Sequence, residues 1–188
     1  MKIGLLGGTF NPIHIGHLIL AEEAREKLGL DKVIFIPTYL PPHKDNSDVA
    51  SAGQRLEMIK LAIKGNSCFS VSDVEIKRGG RSYTIDTVKE FKSRFPDDQL
   101  YFITGSDLLK YLQEWKDLND CIKLVSFVVA TRPGYPLENI PSYIRTVAIR
   151  AVYASGFEIR QAIRDKKSFR YLVPEKVFTY ITRRRIYR

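Results

Sequence analysis

Gly7-Gly8-Thr9-Phe10-Asn11-Pro12-Ile13-His14-Ile15-Gly16-His17 stands between two segments of opposite character. Before it, Lys2 to Leu6 is a short apolar run that ends at a Gly pair, the form of a buried strand. After it, Ile15 to Leu28 carries Leu18, Ala21, Ala24 and Leu28 at close to helical spacing, and Gly29 follows as a stop. Lys32 to Ile36 then reads as a second strand closed by Pro37. Strand, helix and strand in this order make a βαβ unit, whose right-handed crossover requires a parallel pair.

The alternation continues along the chain. Gln54 to Lys64 is amphipathic, with Leu56, Ile59, Leu61 and Ile63 among charges, and Phe69 to Ile76 alternates like a strand. Thr84 to Phe95 reads as a helix with Asp86 in its first turn, where a carboxylate complements the dipole. Gln99 to Thr104, Leu124 to Ala130 and Arg145 to Ile149 read as strands. Glu158 to Arg164 and Pro174 to Arg183 read as helices, with Pro174 suited to a first helical position. No repeat, low-complexity stretch or long linker interrupts the 188 residues. The expectation is a single α/β domain over 1–188: three layers, a mostly parallel central sheet and C-terminal helices.

Composition narrows the class. Hydrophobic residues are 44% and charged residues 27%, as in ordinary soluble proteins. No apolar run approaches the ~20 residues of a membrane span. The N-terminus shows no long apolar leader region. Cys68 and Cys121 lack metal-like spacing and read as thiols rather than a disulfide, which fits a reducing cytoplasm. Lys plus Arg number 30 against 21 Asp plus Glu, a formal charge of +9 that suits a polyanionic partner. Nucleotide and nucleic acid both fit that charge, part of which lies in Arg183 to Arg188, a stretch that fits either a solvated tail or a subunit interface.

The glycine-rich segment is where chemistry concentrates. Ligands of open α/β sheets bind beyond the carboxyl ends of strands, and Gly7 and Gly8 allow a phosphate to approach the backbone. A helix N-terminus behind them offers amide donors to anions. The dinucleotide motif G-x-G-x-x-G and the P-loop motif are both absent. His14 and His17 are three apart and face roughly the same way, with Gly16 leaving room between them. Such a pair suits capping and packing, a zinc site, or hydrogen bonding to phosphate oxygens as charge builds on them. Three histidines in the chain and no adjoining carboxylates weigh against zinc; the strand–helix junction behind a Gly pair favours phosphate.

The pattern Gly8, Phe10, Pro12, His14, Gly16, His17 resembles the signature of the HxGH nucleotidyltransferase superfamily. Within it the chain resembles the bacterial nicotinate-nucleotide adenylyltransferases. Pro41-Pro42-His43-Lys44, Ser82 to Thr87, Gly105-Ser106-Asp107, Trp115 and Arg132-Pro133-Gly134 carry that likeness over residues of about 3 to 181. The resemblance implies a Rossmann-like fold and transfer of the adenylyl group of ATP to nicotinate mononucleotide. The products are nicotinate adenine dinucleotide and pyrophosphate, as in NAD biosynthesis.

It also implies residue roles. His14 and His17 match the catalytic, phosphate-binding histidines. Gly8, Thr9, Phe10, Lys44, Gly105, Asp107, Ser155 and Arg160 match the ATP site. Thr84, Trp115 and Arg132 match the acceptor site. Trp115 equally fits a core position, Thr84 and Asp107 equally fit helix starts, and Lys44 and Arg132 equally fit solvated loops. No protein metal site is implied; Mg2+ is expected on the ATP phosphates. Asn11 stands where Asp is commoner, and Gly156 and Phe157 stand where the family places hydroxyl residues. Another acceptor, nicotinamide mononucleotide or phosphopantetheine, is the nearest alternative, and a basic nucleic-acid-binding module the more distant one. The resemblance anticipates neither a nucleic acid nor a membrane partner and leaves a homo-oligomer open.

Overall fold

The computed structural model describes residues 1–40, 48–131, 140–150 and 152–188. Six parallel strands form one sheet: β1 (Lys2–Gly8), β2 (Lys32–Pro37), β3 (Phe69–Val71), β4 (Gln99–Gly105), β5 (Ser126–Ala130) and β6 (Ile144–Val147). Their order is β3-β2-β1-β4-β5-β6. The chain therefore builds outward from β1 in one direction and, from β4, in the other. The reversal places a crevice between the carboxyl ends of β1 and β4, the topological switch point at which such sheets bind ligands. Register carries this through: Leu5 sits beside Phe102 and Leu6 beside Ile103.

Seven α-helices cover the two faces among the described residues: α1 (Ile15–Leu28), α2 (Ala52–Ile63), α3 (Val74–Arg78), α4 (Thr84–Arg94), α5 (Leu118–Leu124), α6 (Gly156–Arg164) and α7 (Glu175–Arg184). A 3-10 helix spans Ser106–Glu114. Side-chain alternation along the strands divides the core. Leu6, Val33, Phe35, Ile103 and Val128 pack with α1, α2, α6 and α7. Ile3, Leu5, Ile34, Phe102 and Phe127 pack with α3, α4, α5 and the 3-10 helix. This is the three-layer arrangement the alternation of elements implies.

The helix ends follow their capping residues. Gly29 adopts φ 61° after α1, and Leu30 N–H reaches back to the Arg25 carbonyl at 2.8 Å, a left-handed stop that glycine takes without steric cost. Ser51 caps α2 reciprocally with Gln54. Pro174 is the cap itself and not the first helical residue, because its ψ of 148° is extended.

Two expectations fail locally. The strand expected over Phe69 to Ile76 stops at Val71, and Val74–Arg78 is helical. The apolar parity changes there: Phe69 and Val71 are odd, whereas Val74 and Ile76 are even. Period-2 reading cannot carry one face across that change. Ser72 N–H makes the last bond to β2, at the Phe35 carbonyl, and α3 then buries Val74. Likewise Leu124 ends α5 and does not begin β5.

Candidate active site

The phosphate turn is built between β1 and α1. Phe10 takes φ 49°, a left-handed conformation unusual for a bulky residue. Its side chain is 2% exposed and meets the His17 ring edge-on at 5.0 Å between centroids. A Cβ on Gly8 would stand 3.1 Å from the Phe10 ring. The glycine thus lets the aromatic ring fold back under the turn. Gly8 also accepts Thr38 N–H through its carbonyl at 3.0 Å, which fastens the turn to the end of β2.

His14 caps α1 from extended backbone and is buried. Its ring lies 3.8 Å from that of His17, centroid to centroid. His14 N–H donates to His17 Nδ1 at 3.2 Å. An accepting Nδ1 places the proton of a neutral His17 on Nε2. Capping and phosphate binding are therefore compatible roles for this pair: one nitrogen fixes the helix start and the other remains a donor. A Cβ at Gly16 would come within 3.1 Å of His14 Nδ1, so the residue between the histidines keeps them close.

The start of α6 is set against this turn. A Cβ added to Gly156 would be 2.7 Å from the Asn11 carbonyl oxygen, and one on Gly16 would be 3.7 Å from the Ala154 carbonyl oxygen. Ser155 is the N-cap and accepts Glu158 N–H at 3.2 Å. Arg160 donates Nη1–H to the Asn11 carbonyl at 2.7 Å and Nε–H to Asp48 Oδ2 at 3.0 Å. Arg164, one turn on, also binds Asp48. The turn that holds His14 and His17 and the helix start that holds Ser155 and Arg160 are thus brought together, with Arg160 bonded to Asn11. Asn11 also donates to the Asp48 carbonyl at 2.9 Å and accepts from Ala50 N–H at 3.0 Å.

The other described candidates lie on β4, on the 3-10 helix or its C-cap, and on α4. Gly105 ends β4, and half-buried Asp107 sits in the first turn of the 3-10 helix behind buried Ser106. Thr84 is the first residue of α4, with Tyr83 in the cap position, so Thr84 is not itself the cap. Trp115 is half-buried. It packs edge-on against Phe102 at 5.7 Å and Phe127 at 5.8 Å. Gly7 makes room for that arrangement, since a Cβ there would be 3.0 Å from Phe102 Cζ. Lys116 Nζ lies 4.9 Å from the Tyr83 ring centre, joining the segment after Trp115 to the segment before Thr84. Lys44 and Arg132 lie outside the described residues.

Four participants carried no motif. Asn11 drew notice only as a replacement for the commoner Asp, and Asp48 had no signal. Arg55 lies on the buried side of α2 with Met58, Ile59 and Ile63. A charge in phase with an apolar stripe was the available sign. Tyr187 belongs to the stretch read as a solvated tail or a subunit interface, and the first of these is corrected: Ile186 is 6% exposed, and Tyr187 Oη–H donates to Asn11 Oδ1 at 2.7 Å. Burial pushes the Tyr187 hydroxyl above its ordinary range, which keeps it a neutral donor.

Known proteins resemble this chain over its length. The cytidylyltransferase-like family model matches residues 5–162. A Desulfitobacterium hafniense (strain Y51) chain named "Probable nicotinate-nucleotide adenylyltransferase" is 43% identical, covering 100% of this chain and 96% of its own. The nicotinate-nucleotide adenylyltransferase of Bacillus subtilis (strain 168) is 41% identical over 99% of this chain and 98% of its own. A Plasmodium falciparum nicotinic acid mononucleotide adenylyltransferase solved with NaAD superposes with a TM-score of 0.83, covering 99% of this chain and 97% of that one. Its 17% identity speaks for the fold alone. With the signature turn at the switch point and full-length relatives above 40% identity, the chain belongs to the cytidylyltransferase-like nucleotidyltransferases, in their nicotinate-nucleotide adenylyltransferase branch.

Proposed function

We propose that the phosphate turn, the α6 start and the segment at Thr84 together carry the reaction of this branch: transfer of the adenylyl group of ATP to nicotinate mononucleotide. The observation that carries it is the close, tilted His14–His17 pair, set at the switch point with the α6 N-terminus against it. The acceptor phosphate oxygen attacks the α-phosphorus of ATP, the bond to the bridging oxygen breaks, and pyrophosphate leaves. The attacking phosphate is already ionised, so no protein base is needed. Positioning and charge neutralisation supply the acceleration.

In this reading Gly8, Thr9 and Phe10 line the triphosphate, and His14 and His17 donate to its oxygens. The hydroxyl of Ser155 is engaged in capping, so the α6 amides serve as the donors there. Arg160 reaches the β- and γ-phosphates by exchanging the Asp48 carboxylate for phosphate. Lys44 belongs to the same side. Gly105 and Asp107 hold the adenosine at the end of β4, with the carboxylate accepting from ribose hydroxyls. Thr84, Trp115 and Arg132 take the pyridine nucleotide, the indole serving as a flat platform for the ring.

Magnesium belongs to the ATP. Imidazoles and amides are donors that fit phosphate oxygens, and no group of three or more His, Cys, Asp or Glu converges among the described residues to hold a cation. When bound, the ion would supply charge neutralisation on the triphosphate. The working unit is the whole of 1–188 in the cytoplasm, a placement supported by unpaired Cys68 and Cys121. No described helix is long and apolar enough to cross a membrane.

Pyrophosphate release with ATP and each of three acceptors tests the assignment. Nicotinate mononucleotide is expected to give the highest kcat/KM, ahead of nicotinamide mononucleotide and phosphopantetheine. Preference for either of the others overturns the acceptor while leaving the ATP half of the site intact.

A further inference from the structure

Arg55 is the largest fully buried side chain, 1% exposed, and it is a cation. Its guanidinium donates to three main-chain carbonyls. Nε–H donates to Ala50 at 3.0 Å, an Nη1–H to Thr9 at 2.8 Å and an Nη2–H to Tyr39 at 3.1 Å. Burial works against the charge, the neighbouring Glu75 works for it, and the three carbonyls replace the water the fork has lost. Thr9 belongs to the phosphate turn. Tyr39 and Ala50 flank the stretch that separates β2 from α2.

The Tyr39 contact leads onward. Tyr39 N–H donates to Ser82 Oγ at 3.0 Å. Ser82 N–H donates to the Leu40 carbonyl at 3.2 Å. Leu40 and Arg81 form a parallel bridge. Ser82 is two residues before Thr84, where α4 begins. A continuous set of hydrogen bonds therefore runs from the Thr9 carbonyl through the Arg55 guanidinium to Tyr39 and Ser82. It joins the backbone under the triphosphate to the backbone under the acceptor.

We propose that Arg55 is a positioning residue that sets the separation between the ATP and acceptor half-sites, so that attacking oxygen and α-phosphorus meet in line. The inference rests on the functional reading above for which segment holds which substrate. Its chemistry is that of a rigid fork: a planar guanidinium holds two carbonyls from two segments at fixed directions. A lysine ammonium in the same place is a single point without that planar fork. Each half-site keeps its own contacts when the fork is lost, but their relative placement drifts. A misplacement of about 1 Å costs on the order of 10²-fold in the chemical step.

The test is steady-state kinetics of Arg55→Lys with ATP and whichever acceptor the wild type uses best. A wrong acceptor assignment therefore appears in the wild type alone and leaves the comparison valid. Circular dichroism and urea denaturation establish that the variant is folded. The expected result is a kcat lower by about 10²-fold with both KM values within about threefold of wild type. Ser82→Ala, at the other end of the connection, is expected to lower kcat about fivefold with the same split. Ser82→Ala carries the test by itself if Arg55→Lys does not fold. A folded Arg55→Lys enzyme with wild-type kcat overturns the proposal. So does a loss confined to one substrate's KM, or wild-type kcat in Ser82→Ala.

Discussion

An added Cβ at Gly156 would stand 2.7 Å from the Asn11 carbonyl oxygen, a contact that side chains do not make without movement of one backbone or the other. That carbonyl is also the acceptor for Arg160 Nη1–H at 2.7 Å, so it cannot retreat without releasing the guanidinium. The missing hydroxyl at this position is thus matched by a closer approach of α6 to the phosphate turn. Restoring it by Gly156→Ser is expected to harm the site: the Cβ forces the α6 start away from Asn11 before the hydroxyl can reach a phosphate. Stability is expected to fall by about 1–3 kcal/mol, the usual cost of overpacking, and KM for ATP to rise. Urea denaturation and ATP titration of the rate check both. A Gly156→Ser enzyme with lower KM and unchanged stability would show that the helix start has room.

At the level of elements, the phosphate-bearing face depends on where α1 is anchored, and Glu23 supplies one of the anchors. Its buried carboxylate accepts from Lys27 Nζ at 3.1 Å, from Arg150 N–H at 3.1 Å and from the Arg150 guanidinium. These bonds tie the middle of α1 to the chain leaving β6. Arg150 foremost, with Lys27, holds the Glu23 carboxyl down to about 2 from an ordinary 4.5. A depressed folded-state value means the folded state keeps its charge where the unfolded chain takes up a proton. The stabilisation is complete above about 4.5 and is lost as pH falls through about 2. Glu23→Gln is therefore expected to be less stable than wild type at neutral pH, with the difference shrinking as acid is added across that window. Denaturation midpoints of both proteins against pH measure this; a difference independent of pH would mean that packing, not charge, is at stake. The same elements show what sequence makes legible. α1 carries a consistent period with a glycine stop, so its limits were readable, whereas β1 runs on through Gly7 and Gly8, where the apolar pattern that marked it had ended. The 3-10 helix at Ser106–Glu114 was not assigned, although Leu108, Leu109 and Leu112 recur there at helical spacing. α3 was not either, being five residues whose apolar pattern merges with that of β3. Asn11, Asp48 and Arg55 have partners brought from distant positions, Asp48 through its carboxylate on Arg160 and Arg164, and such partners leave no spacing in a sequence. His14 and His17 differ because both partners lie within one helical turn.

For the whole molecule, the question is what the C-terminal charge does. The chain carries 30 Lys and Arg against 21 Asp and Glu, and Arg183, Arg184, Arg185 and Arg188 are exposed. Between them, however, Ile186 joins the core shared by α1, α2, α6 and α7. Tyr187 crosses to Asn11, 176 residues earlier, in the phosphate turn. Chain end and active site are thus one structure, and the basic residues flank a docked hydrophobic contact. Removing Ile186 to Arg188 takes away burial worth about 1.5–3 kcal/mol and a hydrogen bond worth about 1 kcal/mol. At about 2–4 °C per kcal/mol for a chain of this size, a fall in Tm of roughly 5–15 °C is expected. Tyr187→Phe separates the two contributions, since the ring and Ile186 remain while the donor to Asn11 is lost. That variant is expected to hold Tm within about 4 °C of wild type yet raise KM for ATP, because Asn11 carries the carbonyl that orients Arg160. A solvated tail serving only to attract polyanions makes the opposite forecast. Truncation would then leave Tm unchanged, Tyr187→Phe would be silent, and only salt-sensitive binding of nucleic acid would fall.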